Sequence, residues 1–292
     1  MKKTIYMAGV GGMLGRDLYK QFSYSHELFC SDRVVNEKWL HYLYFTDINK
    51  YYFDVEKSGA DMLFHIGAMT DLEECEADPD KAYMTNTIGT ENAVIIANKL
   101  DIPVVYISTA GIFNGKKESY DDWDTPDPIN VYGRTKYLGE KYVVENARRY
   151  YVFRPGWMMG GHEKDKKFVR KILQQLWGGA ETIYAVNDKF GSPTYTLNLA
   201  STILLTVTAE LYGVYNSSGQ GNPSRLEVAR YIVDYLGHDA SVIGVSSKHF
   251  EEEYGTLRPR HEVLENKKLK FRGTDTSLEW TLALSHYLDG YK

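Results

Sequence analysis

Cysteine is scarce in this chain: Cys30 and Cys75 are the only two among 292 residues, and neither belongs to a metal-type pair. That excludes a disulfide scaffold and favours a reducing compartment. The eight histidines also lack metal-ligand spacing, and His65, inside an apolar strand-like run, reads as a core residue. No metal site is expected. Magnesium held by surface acids such as Asp17 is compatible with the sequence, but nothing indicates it. No apolar run reaches the length of a membrane span. Lys2 and Lys3 lead within a few residues into a glycine turn, which leaves no room for a secretory apolar segment. An excess of basic charge is missing too, and a net charge of −5 offers no footprint for nucleic acid. These absences point to a cytoplasmic protein whose partner is neither a membrane nor a nucleic acid.

What is present is ordinary for a globular chain, with 43% hydrophobic and 25% charged residues, apart from 24 tyrosines. Strand-like runs recur at TIYMAG, ELFCSD, YLYFTD, DMLFHIG, PVVYIS and YYVFRPG, separated mostly by amphipathic stretches. Near-continuous apolar strands alternating with helices predict an α/β fold with a doubly wound parallel sheet of Rossmann type. Helices are expected over about 79–99 and 130–149. After Arg154 the rhythm changes. KDKKFVRKILQQLWGG predicts a helix with Phe168, Ile172 and Leu176 as its buried stripe and its lysines as a solvated face. Further helices are expected near 197–211, 224–236 and 276–288, with a strand at GVYN. The division expected is a dinucleotide-binding domain over 1–155 and a smaller C-terminal α/β substrate lobe over 156–292, with the chain free to cross back.

Gly9, Gly12 and Gly15 follow the first strand and open the first helix. At these positions the first glycine allows the tight turn and the second lets a pyrophosphate approach the backbone. The third lets helix and strand pack closely, and Met13 and Leu14 complete the phosphate-facing helix start. Asp32 closes the second strand about 20 residues on, where a carboxylate accepts the adenosine ribose hydroxyls. Arg33 beside it attracts a 2′-phosphate, so NADH and NADPH both remain open. Gly67, Ala68 and Met69 follow the fourth strand and are expected along the nicotinamide channel.

Tyr132 and Lys136 stand four apart in NVYGRTKYLGE, on one face of a helix. A nearby ammonium favours the phenolate, so this pair is expected to lower the phenol's pKa and carry acid–base chemistry. Tyr137 and Lys141 repeat the spacing but are rotated about 140° away. Thr109, ending the strand PVVYIS, can hydrogen-bond the same carbonyl oxygen.

With MAGVGGMLG, the Asn-x-x-Gly-Thr run from Asn86, STAGIFNG, YGRTKYLGE, FRPGWMMGG, DKFGSPTYT and LRPRHEVLENKKL, the chain resembles the extended short-chain dehydrogenase/reductases. Within them it is similar to the dTDP-4-dehydrorhamnose reductase family. The likeness spans nearly the whole chain. It implies reduction of a 4-keto group on a nucleotide-linked 6-deoxysugar by NADH or NADPH, with Thr109, Tyr132 and Lys136 as catalytic residues. It also implies that Asp47 and Ile48 flank the adenine, that Asn86 supports Lys136 through water, and that Trp157 touches the sugar. Arg258 and Arg260 can grip the diphosphate, and Ser192 and Thr194 can shape the pocket. Each also has a plain structural reading: loop for Asp47 and Ile48, helix interior for Asn86, core for Trp157 and Met69, solvent for the arginines, a turn for Ser192 and Thr194.

The family commonly has Asp-Tyr after the threonine, where this chain has Ala110 and Gly111, and a glutamine where it has Lys189. Ala110 is therefore the substrate contact expected to differ. A reductase or epimerase of another nucleotide sugar, or a regulatory subunit of the same fold, are the alternatives. A homodimer is a mild expectation.

Overall fold

Five of the expected runs form strands because their residues are apolar enough to be covered on both faces. The computed structural model describes residues 2–292. Its main sheet comprises β1 (Thr4–Ala8), β2 (Glu27–Asp32), β3 (Leu40–Tyr42), β4 (Met62–His65), β5 (Val104–Ile107), β6 (Tyr150–Arg154) and β7 (Gly213–Asn216). The strands are all parallel, in the order β7-β6-β5-β4-β1-β2-β3. Every residue of β4 and β5 is buried.

The expected strand over 42–47 is corrected. Pairing with β2 ends at Tyr42, and Leu43 N donates to the Asp32 carbonyl. Beyond that point β2 has no further edge to offer, so the chain turns and Phe45 is buried against Gly67 and Gly89.

Helices α1 (Met13–Ser23), α2 (Ile48–Ser58), α3 (Leu72–Ala77), α4 (Pro79–Tyr83), α5 (Gly89–Lys99) and α6 (Val131–Asn146) belong to the sheet. The helix expected over 79–99 is one helical course interrupted by a π-turn at Met84–Ile88, which carries Asn86. One core joins α1 to the sheet, and Leu199, Ile203 and Val207 complete it. These three residues lie on α8 (Thr196–Thr208), so the second half of the chain supplies both that helix and the edge strand β7 to the main sheet.

A separate core packs α7 (Phe168–Trp177) and α9 (Arg225–Leu236) with the C-terminal helix Trp280–Leu288. Small parallel pairs join Thr182–Val186 to Ser241–Val245 and Phe190–Gly191 to His261–Glu262. The stripe of α7 differs from expectation. Val169, Ile172, Leu173 and Leu176 are buried while Phe168 is half-buried, a rotation of one residue toward the 3.6-residue helical period.

Candidate active site

The carboxyl ends of β1, β4 and β5 lie side by side, and each delivers one part of the site. After β1, Gly9 takes φ +77° and packs so tightly on Gly67, after β4, that a Cβ would fall 2.1 Å from the Gly67 Cα. Gly15 is pressed onto the Val10 carbonyl, 2.0 Å from where its Cβ would stand. Gly12 is the opposite case: nothing lies within 4 Å of its missing side chain. It is also the N-cap of α1 and offers no side-chain hydrogen bond to the first N–H groups. Met13 and Leu14 are buried in that first turn. The turn is thus tight where the fold needs it and open where an anion needs the backbone, which fits the pyrophosphate of NAD(P).

Asp32 is half-buried, and its carboxylate accepts from Gly11 N at 2.8 Å and Val34 N at 2.9 Å. Arg33 is exposed. Asp47 caps α2 by accepting from Asn49 N and Lys50 N, both at 3.1 Å, and Ile48 packs on the core beside it. Ala68 is half-buried and Met69 is buried at the same sheet edge.

Thr109 and Tyr132 lie side by side, both bordering Gly111. Asn130 starts α6, its side chain accepting from Gly133 N at 2.7 Å. Gly133 then lets the helix approach the Gly111 carbonyl to within 2.2 Å of where a Cβ would stand, which sets Tyr132 beside Thr109. The Thr109 oxygen accepts from Gly111 N at 3.1 Å. Burial pushes the Tyr132 phenol up to about 12, while the nearby Thr109 hydroxyl works in the opposite direction. Burial brings Lys136 down to about 7, opposed by the Glu140 carboxylate. The expected lowering of the phenol by Lys136 is therefore corrected: in the protein alone, desolvation wins on both groups. The Lys136 ammonium nitrogen lies 4.1 Å from the centroid of the Tyr106 ring.

Asn86 does more than the sequence suggested. It exchanges hydrogen bonds with the Met69 backbone, and its Nδ2 also donates to Thr135 Oγ1 at 3.0 Å. Glu140, one turn beyond Lys136, is fixed by buried Arg154, whose Nε lies 3.1 Å from both carboxylate oxygens. His65 is a core residue held neutral by burial, which brings it down to about 3, and its Nδ1 meets the Tyr51 hydroxyl at 3.2 Å.

The other wall comes from the C-terminal half. Trp157 Nε1 donates to Glu262 Oε2 at 3.0 Å, and the Tyr132 phenol feels the Glu262 charge. Glu262 and Arg225, which stacks on Trp157 at 3.5 Å, have no sequence signal; only pairing of distant segments brings them here. Arg258 Nη2 donates to both carboxylate oxygens of Glu73 on α3, at 2.8 and 2.9 Å. Arg258 and Arg260 line an open cavity of about 810 Å³ with Lys116, Lys189, Phe190 and His261. Ser192 and Thr194 are buried in turn contacts, with Ser192 Oγ donating to the Gly221 carbonyl and Thr194 Oγ1 to the Ser192 carbonyl. The lysines before α7 are not all solvated, contrary to expectation. Lys167 donates to the Thr70 carbonyl at 3.1 Å, and Arg16–Glu163 and Lys164–Glu37 ion pairs tie the same segment to the glycine turn and the loop after β2.

Residues 1–292 match the family model described as RmlD substrate binding domain. The chain belongs to this family. It is 28% identical to the spore coat polysaccharide biosynthesis protein SpsK of Bacillus subtilis, over 97% of this chain and 96% of that protein. It is 30% identical to a dTDP-4-keto-6-deoxy-D-glucose reductase of Streptomyces niveus, over 96% and 94%. The crystal structure of a Bacillus anthracis dTDP-4-dehydrorhamnose reductase in complex with NADP superposes with a TM-score of 0.90 at 29% identity, covering 99% of this chain and 100% of that one. As an RmlD-family member the chain is an NAD(P)-dependent reductase of nucleotide sugars, in the extended short-chain dehydrogenase/reductase fold. No helix among the described residues is long and apolar enough to cross a membrane.

Proposed function

We propose that the protein reduces the 4-keto group of a dTDP-linked 6-deoxysugar, with dTDP-4-dehydro-L-rhamnose as the first substrate to test, and that it works in the cytoplasm for polysaccharide synthesis. The observation that carries this reading is the Thr109–Tyr132 pair, set at the carboxyl end of β5 with Lys136 one turn further along α6. Bound NADH or NADPH supplies the hydride. Tyr132, protonated across the neutral range because burial raises its phenol, holds the proton that the carbonyl oxygen needs. The Thr109 hydroxyl, its oxygen already accepting from Gly111 N, is left to donate toward the same oxygen as negative charge develops there. Lys136 in its ammonium form favours the phenolate that Tyr132 becomes after giving up the proton.

A second reading, reduction of another 4-keto-6-deoxysugar, has its own support. A side chain at Gly111 would make only ordinary contact, 3.6 Å from Tyr132 Cε1, so its absence leaves room beside the phenol. The Streptomyces niveus relative, a dTDP-4-keto-6-deoxy-D-glucose reductase, is the 30% identical protein described above.

Following NADH and NADPH oxidation with enzymatically generated dTDP-4-dehydro-L-rhamnose tests both. Turnover by wild type that collapses in Tyr132→Phe supports the first reading. No turnover with this sugar, but turnover with another 4-keto-6-deoxysugar, replaces it with the second.

A further inference from the structure

Arg225 is the first residue of α9, and its guanidinium covers Trp157, whose Nε1 is bonded to Glu262, the carboxylate whose charge the Tyr132 phenol feels. It stacks 3.5 Å from the centroid of the Trp157 ring and 4.8 Å from that of Phe168. Stacking engages the flat face of a guanidinium and leaves its five N–H donors, which lie in the plane, to be satisfied elsewhere. Among the described residues no hydrogen bond or ion pair reaches them, although the side chain is only partly exposed. A partly buried cation is costly unless something pairs with it, and burial brings this one down to about 10, still charged at neutral pH.

The neighbouring charges sharpen the point. Arg225 feels the Glu262 carboxylate, but the Glu262 Oε2 atom already accepts from Trp157 Nε1. It also feels the like charges of Arg258 and Lys167. Of these cations, Arg258 is bonded to both carboxylate oxygens of Glu73 and Lys167 is bonded to Thr70. Of these three, only Arg225 keeps its side-chain donors unspent, so an anion that reaches it displaces no partner.

We propose that Arg225 is a substrate-binding, specificity-determining residue that takes the diphosphate of the nucleotide sugar, a role that the sequence suggested for Arg258 and Arg260. This rests on the nucleotide-sugar reading above. Arg258 then acts as a clamp between α3 and the C-terminal half, through Glu73. Trp157 has its ring covered by Arg225 and packed on Gly191, where a Cβ would stand 2.2 Å from ring atom Cε2. It serves as the platform for the guanidinium before it serves the sugar.

The experiment is calorimetric titration of dTDP, UDP and thymidine into the NADP-saturated protein, for wild type, Arg225→Gln, Arg225→Lys and Arg258→Gln. Diphosphate binding is expected to weaken about tenfold or more in Arg225→Gln, with partial recovery in Arg225→Lys. Thymidine binding and NADP affinity should not change, and equal melting temperatures show that the variant is folded. Unchanged diphosphate affinity in Arg225→Gln overturns the proposal. Loss confined to Arg258→Gln returns the role to Arg258. If wild type binds neither dTDP nor UDP, the nucleotide-sugar reading fails along with it.

Discussion

Asn86 and Met69 hold each other in both directions: Met69 N donates to Asn86 Oδ1 at 2.8 Å, and Asn86 Nδ2 donates back to the Met69 carbonyl at 3.0 Å. The same Nδ2 reaches Thr135 on α6. One side chain in a π-turn therefore joins the loop after β4 to the helix that carries Tyr132 and Lys136. Water-mediated support of Lys136, implied by the family likeness, would have to share an amide that already has three protein partners.

Asn86→Ala removes the partners of two buried backbone groups, each worth about 1–3 kcal/mol when left unsatisfied. A loss of about 2–4 kcal/mol in urea unfolding is expected, together with lower kcat. Full stability with lost activity would instead mean that Asn86 acts on the chemistry alone.

The pH dependence follows from Lys136. Its ammonium, which burial brings down to about 7, is present below that pH and lost above it, whereas Tyr132 stays protonated up to about 12. The value of kcat/KM reports the free enzyme. It should fall by one proton's dependence as pH rises through about 7, and the step should vanish in Lys136→Met on a much lower baseline. A profile that is flat from pH 6 to 9 in wild type would contradict this assignment.

Gly133→Ala places a methyl group 2.2 Å from the Gly111 carbonyl oxygen, a backbone atom that cannot swing aside. Overpacking of this kind costs about 1–3 kcal/mol. Because the strain falls beside Tyr132, kcat/KM should drop about 100-fold, while NADPH binding, measured by fluorescence, is retained. Wild-type kinetics in this variant would show that the close approach does not position the phenol.

Arg33 is exposed and forms no ion pair among the described residues, while the Asp32 carboxylate beside it is held by Gly11 N and Val34 N. Removing the cation in Arg33→Ala should raise KM for NADPH about fivefold to tenfold, in line with losing a charge-assisted bond, and leave KM for NADH nearly unchanged. Equal effects on both cofactors would remove Arg33 from 2′-phosphate recognition.

Much of the fold is legible because its signals are local. Continuous apolar runs such as MLFH and VVYI can only be buried strands between helices, and the spacing of Gly9, Gly12 and Gly15 encodes a turn whose geometry depends on a few adjacent residues. Tyr132 and Lys136 share a helix, so their common face follows from 3.6 residues per turn. The π-turn at Asn86 and the early end of β3 escaped because the partners that impose them, Thr135 and the end of β2, lie elsewhere in the chain.

From the sequence alone follow the parallel sheet, the glycine turn after β1 and the shared helix face of Tyr132 and Lys136, since each rests on periodicity or on neighbours within a few residues. Only the tertiary structure decided which cations are free. Arg225 and Arg258 look alike as residues, but Glu73, 185 positions from Arg258, neutralises one, while Trp157 stacks beneath the other and leaves its donors open. Desolvation likewise has no sequence signal, because the neighbours that bury Tyr132 and Lys136 are assembled by folding, and they push the phenol up, against the expected direction, and the lysine down.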